Sequence, residues 1–153
     1  MLKLPDISLE RFPDQMSGYQ GSKNVCDFGM YLYPHYYYIE TKSTNENTFP
    51  LAALTQYDKL LERKGRKGVR SGVVLWIIPH DKVFYIPIAT FEKLKRDGKK
   101  SFNVKYEGST EYQSLLLPSK MKRVFLSTDY SPLLTLPEGG YVYSFVLLIV
   151  FTI

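Results

Sequence analysis

Residues 27–42 read DFGMYLYPHYYYIETK, and the reading of this stretch decides the fold. It is rich in Tyr and other strand formers and is interrupted by Pro34-His35, so it reads as two strands joined by a tight turn. Side chains alternate across a strand, which puts Glu40 and Lys42 on one face. Asp27 sits at the start of the first strand, and a hairpin brings it alongside them. Two carboxylates and an ammonium then meet at one point. Paired carboxylates suit Mg²⁺, a hard cation that prefers oxygen ligands and keeps several waters. Such an ion and a lysine together activate a water and stabilise charge building on a phosphate. Glu-x-Lys on a strand is also a common solvated face, and an Asp beside a turn is often only a turn residue, so the neighbours must arbitrate.

The chain has 153 residues, of which 44% are hydrophobic and 23% charged, as expected of one globular domain over 1–153. Its formal net charge of +5 favours a polyanionic partner. The single cysteine, Cys26, excludes an internal disulfide and fits a reducing, cytoplasmic setting. It reads as a small buried apolar residue, because His35 and His80 offer no triad. Neither histidine has a partner at a zinc-ligand spacing. No basic-then-apolar run opens the chain, so no signal peptide is expected. The closing apolar run, 141–153, is shorter than the roughly 20 residues a spanning helix needs, so no membrane partner is expected. Its Val, Ile, Tyr and Phe content favours a strand.

Upstream of the hairpin, residues 11–27 hold Gly18, Gly21, Ser17, Ser22 and Asn24 and read as loop. Arg11, Tyr19 and Lys23 lie in it. A loop of this kind can follow a nucleic-acid backbone, or it is simply solvated. Downstream, Pro50 suits the first position of a helix that runs through Leu51, Leu54 and Leu61 and stops near Gly65. Gln56 projects from its first half. Lys59, Arg63, Lys64, Arg66, Lys67 and Arg70 then form a basic group with only Asp58 and Glu62 as counter-charges, a solvated face or a phosphate contact. The apolar run 73–78 predicts a central strand and 83–88 a returning one. Pro87 places the latter near the sheet edge or at its own end. Thr90 is expected to cap a helix over 91–96, ended by Asp97-Gly98. Lys99 and Lys100 follow in a loop. Residues 115–117 read as a last strand or a short helix, and 119–153 as a C-terminal extension.

The run RFPDQMSGYQGSKNVCDF (11–28), then YYYIETKST (36–44), FPL (49–51), Gln56 and GKKSF (98–102) resembles the RecU family of Holliday-junction resolvases, especially its phage-type and short branches. The resemblance covers roughly residues 10–105. It implies a restriction-endonuclease-like fold of the PD-(D/E)xK type, an α/β mixed sheet flanked by helices with a core over about 11–118. It also implies Mg²⁺ dependence, a homodimer and cleavage of four-way DNA junctions. Carried over residue by residue, Asp27 and Glu40 would bind the metal. Lys42 would orient or deprotonate the attacking water, and Gln56 would support the site. Arg11, Lys23, Lys99 and Lys100 would hold the DNA backbone. Family members carry an N-terminal helix with an acidic residue, for which only Glu10 stands here, so the chain reads as a short or N-terminally truncated member.

The leading expectation is therefore a Mg²⁺-dependent, structure-specific endodeoxyribonuclease. The alternatives are a catalytically weak or inactive relative that binds branched DNA as an accessory recombination factor, and a nuclease of the same fold acting on other DNA.

Overall fold

The computed structural model describes residues 7–12, 26–122, 125–129, 133 and 146–149. The predicted hairpin forms β2 (Phe28–Leu32) and β3 (His35–Thr44), turning at a cis Tyr33–Pro34 peptide. A strand absent from the sequence reading, β1 (Ile7–Arg11), pairs antiparallel with β2. After β4 (Thr48–Pro50), a 3-10 turn (Leu51–Ala53) leads into α1 (Tyr57–Arg63). Then come β5 (Val69–Ile77), β6 (Lys82–Pro87), α2 (Ile88–Arg96), β7 (Ser101–Asn103) and β8 (Leu115–Leu117).

Six strands form one sheet in the order β1-β2-β3-β5-β6-β8. Only β3 and β5 run parallel within it; every other neighbour is antiparallel. This is the expected α/β mixed sheet. β4 and β7 pair separately, with Phe49 opposite Phe102. β9 (Ser119–Lys122), β10 (Phe125–Asp129) and β11 (Val146–Ile149) make a three-stranded antiparallel sheet from the C-terminal extension. The described part of the closing apolar run is thus a strand.

Apolar residues cover the six-stranded sheet on both faces, because β5 and β6 are apolar on both. One face packs Val73, Leu75, Phe84 and Ile86 against Leu60 of α1 and Phe91 and Leu94 of α2. Both helices therefore lie on the same side. The other face gathers Met30, Tyr37, Ile39, Trp76 and Tyr85 around Leu133, whose carbonyl accepts a hydrogen bond from Tyr37 Oη at 3.4 Å.

Two local expectations are corrected. Pro50 does not open a helix: it ends β4 in an extended conformation, and α1 begins only at Tyr57. The reason is tertiary, since β4 pairs with β7 and Leu51 N–H donates to the Lys100 carbonyl at 2.9 Å. Thr90 is not a cap but lies inside α2, which the chain enters directly from Pro87. Its hydroxyl is tied to the Gln113 carbonyl at 2.6 Å. Pro87 is the last residue of β6, the second of the two placements expected for it, and β8 pairs beyond the strand. Two expected stops hold: α1 ends ahead of Gly65 and α2 ahead of Gly98, both at positive φ.

Candidate active site

The β2–β3 register pairs Phe28 with Ile39, so Asp27 stands just past the last paired rung, opposite Glu40. Its carboxylate extends the ladder. Asp27 Oδ2 accepts hydrogen bonds from both the backbone N–H (2.9 Å) and the hydroxyl (2.8 Å) of Thr41. The end of β1 lies on the other side, where Phe12 N–H donates to the Asp27 carbonyl at 2.8 Å. The end of β1, the start of β2 and the body of β3 thus meet at Asp27.

Glu40 and Lys42 share a face of β3, as strand alternation requires. Their register partners on β5, Val73 and Leu75, belong to the core beneath the helices. Glu40 is 2% exposed, and its Oε1 pairs with Lys42 Nζ at 3.2 Å. Its other oxygen, Oε2, is buried with no hydrogen-bond partner. Burial, then the nearby Asp27 charge, push the Glu40 carboxyl up to about 7, while Lys42 and the Asp27 amide pull the other way. A buried carboxylate with one oxygen unsatisfied is costly by itself, and a cation relieves that cost. Among the described residues, no group of three or more His, Cys, Asp or Glu side chains is placed to hold a metal. The donor set here is two carboxylates, enough for Mg²⁺, which takes one or two and fills its shell with water and phosphate oxygens.

Tyr38 precedes Glu40 on the same face. The Arg63 guanidinium at the end of α1 lies over its ring, 5.3 Å from the centroid, with Nε buried and unpartnered. Cys26 is 2% exposed and belongs to the helix-side core. Burial pushes its thiol up to about 12, so it is the inert residue expected.

The other expected site residues are placed as follows. Gln56 caps the start of α1 with its backbone, and its side chain accepts from Thr55 Oγ1 at 2.8 Å; no hydrogen bond joins it to the acid pair. Arg11 ends β1 opposite Phe28, one residue from Asp27. Glu10 sits opposite Gly29, and its charge acts on Tyr36. Lys99 and Lys100 are exposed in the loop before β7, with Lys99 N–H bonded to the Leu94 carbonyl. Lys23 lies outside the described residues. Thr41 was not singled out in the sequence, although a hydroxyl between Glu40 and Lys42 pointing to the opposite strand face was a signal for it.

A solved structure is similar in fold. It is that of Hjc, a Holliday junction resolvase from the archaeal hyperthermophile Archaeoglobus fulgidus, with a TM-score of 0.45 and 19% identity. The match covers 69% of this chain and 78% of that chain. No family model and no curated protein matches the sequence. Among the described residues no helix is long and apolar enough to cross a membrane.

Proposed function

We propose that the chain is a Mg²⁺-dependent, structure-specific DNA endonuclease that resolves Holliday junctions as a homodimer, allied to the RecU resolvases. The observation that carries this reading is the buried, half-satisfied Glu40 carboxylate beside Asp27, with Lys42 at 3.2 Å.

Asp27 and Glu40 would hold the ion, which when bound supplies charge neutralisation at the scissile phosphate and an acidified water. Thr41 fixes the Asp27 carboxylate so that its orientation does not depend on the ion. Lys42, with a side chain 26% exposed, reaches from the buried acid toward solvent. There its ammonium orients the attacking water and steadies charge on the phosphate oxygens. Arg11, Lys99 and Lys100 are exposed cations suited to the phosphate backbone, a contact that carries affinity without sequence preference. By sequence resemblance Lys23 would join the backbone contacts and Gln56 would support the site. Homodimerisation rests on the chemistry: two paired cuts need two sites.

The test is cleavage of a synthetic four-way junction against a linear duplex of the same sequence, in Mg²⁺ and in EDTA. Cutting of the junction alone, and only with metal, is the expected result. Tight junction binding without cutting favours the accessory-factor reading. Equal cutting of the linear duplex favours a nuclease with other DNA targets.

A further inference from the structure

The tip of the β2–β3 hairpin carries a feature that the acid pair does not use. Two large hydrophobic side chains, Tyr31 (37%) and Tyr33 (65%), stand exposed on this hairpin. Isolated exposed aromatics need no explanation, but these stand beside a concentrated charge. Residues 64–70 read KGRKGVR, with four cations and no acid.

The backbone holds the two segments together. Tyr36 N–H donates to the Gly68 carbonyl at 2.8 Å, and the Pro34 carbonyl lies 3.6 Å from where a Gly68 Cβ would stand. The cations are not equally engaged. Lys64 pairs with Glu92 at 2.9 Å, and Arg70 meets His35 Nε2 at 3.3 Å. Arg66 and Lys67 are exposed, and their side chains have no ion-pair or hydrogen-bond partner among the described residues. An exposed phenol ring thus stands at a turn fastened to a loop with two uncommitted cations.

We propose that Tyr33, with Arg66 and Lys67, forms a second DNA contact that takes an unpaired nucleotide. The ring stacks on the base, and the two cations hold the flanking phosphates. Stacking needs a base free of its neighbours, which a branch point, gap or single strand offers and a uniform duplex does not. The contact is separate from the acid pair. His35 and Glu40 are five residue steps apart, about 17 Å along the strand, a span of about five base-pair steps along a duplex. A strand cut at Glu40 would therefore present a nucleotide some distance from the cut to Tyr33, so the hairpin measures off the site of cleavage from the branch.

The chain's one tryptophan, Trp76, is 1% exposed, which makes an optical test direct. Tyr33→Trp places an exposed indole at the tip without disturbing the core. Its fluorescence is titrated with short oligothymidylate, oligouridylate and blunt duplex in EDTA, so that cutting plays no part and failure of the nuclease reading leaves the result intact. The expected result is quenching by the unpaired oligonucleotides and little by duplex. Tyr33→Ala should weaken oligothymidylate binding by about 10-fold, while Tyr33→Phe keeps it. Arg66→Gln and Lys67→Gln should each flatten the salt dependence by about 0.7 in log–log slope. Quenching only by the uridylate reassigns the ligand to RNA and overturns the proposal. So does an indole unchanged by any oligonucleotide, or an equal Tyr33→Ala loss on duplex.

Discussion

Thr41 gives both its backbone N–H and its hydroxyl to a single oxygen of Asp27, at 2.9 and 2.8 Å. This couples the residue that leads into β2 to the body of β3 through a side chain rather than through the ladder. It also aims one carboxylate before any cation arrives. Thr41→Val keeps the N–H bond and removes the other. With a charged acceptor the loss should be about 1.5 kcal/mol in stability, read by urea unfolding. Mg²⁺ affinity, read from the metal dependence of cutting, should fall by about 10-fold. Thr41→Ser should restore both.

Glu40 makes stability depend on pH in a defined sense. Its folded carboxyl titrates at about 7, against 4.5 for the ordinary group, so between these values the folded protein holds a proton that the unfolded chain has released. Stability therefore falls as pH rises through that window, by up to about 3 kcal/mol in metal-free protein. Urea unfolding in EDTA at pH 5 and pH 8 should reveal the loss, and Glu40→Gln should remove it. Mg²⁺ should restore stability at pH 8, because cation binding favours the charged acid.

Lys42 lowers the Glu40 carboxyl as well as facing the solvent side of the site. Lys42→Met should slow cutting by about 100-fold. It should also shift the pH at which cation binding is half-lost upward, since the acid loses a neighbouring positive charge. A slower enzyme with an unmoved binding profile would separate Lys42 from Glu40.

Gly72 is a packing requirement of the central strand. A Cβ there would stand 2.6 Å from the Ile86 carbonyl oxygen and 2.8 Å from the Tyr85 ring. The carbonyl is backbone in the neighbouring strand and cannot swing away. Gly72→Ala should cost about 3 kcal/mol, read as a lowered urea midpoint with unchanged slope.

What the sequence made legible follows from the range of the interactions involved. The hairpin, the shared face of Glu40 and Lys42, the nearness of Asp27 and the buried 73–77 strand all rest on local periodicity and a two-residue turn. The break between Leu51 and Tyr57 does not: it depends on β4 meeting β7, some fifty residues downstream, with Phe49 opposite Phe102. Thr90 has the chemistry of a cap, and only the Gln113 carbonyl shows why it is internal. β1 is five residues long and gains its place by pairing with β2, so nothing in its own pattern announced it. The stacking of Arg63 on Tyr38 joins α1 to β3 across the sheet face and was hidden within a run of six similar cations.

The most direct measurement is the binding of Mn²⁺, a spectroscopic stand-in for Mg²⁺, followed by electron paramagnetic resonance at pH 8 in the absence of DNA. Wild-type protein should bind the ion, and both Asp27→Asn and Glu40→Gln should weaken that binding by at least about 10-fold while remaining folded. Equal Mn²⁺ binding by wild type and both variants would contradict the account, leaving Glu40 as a buried acid with only a structural lysine partner.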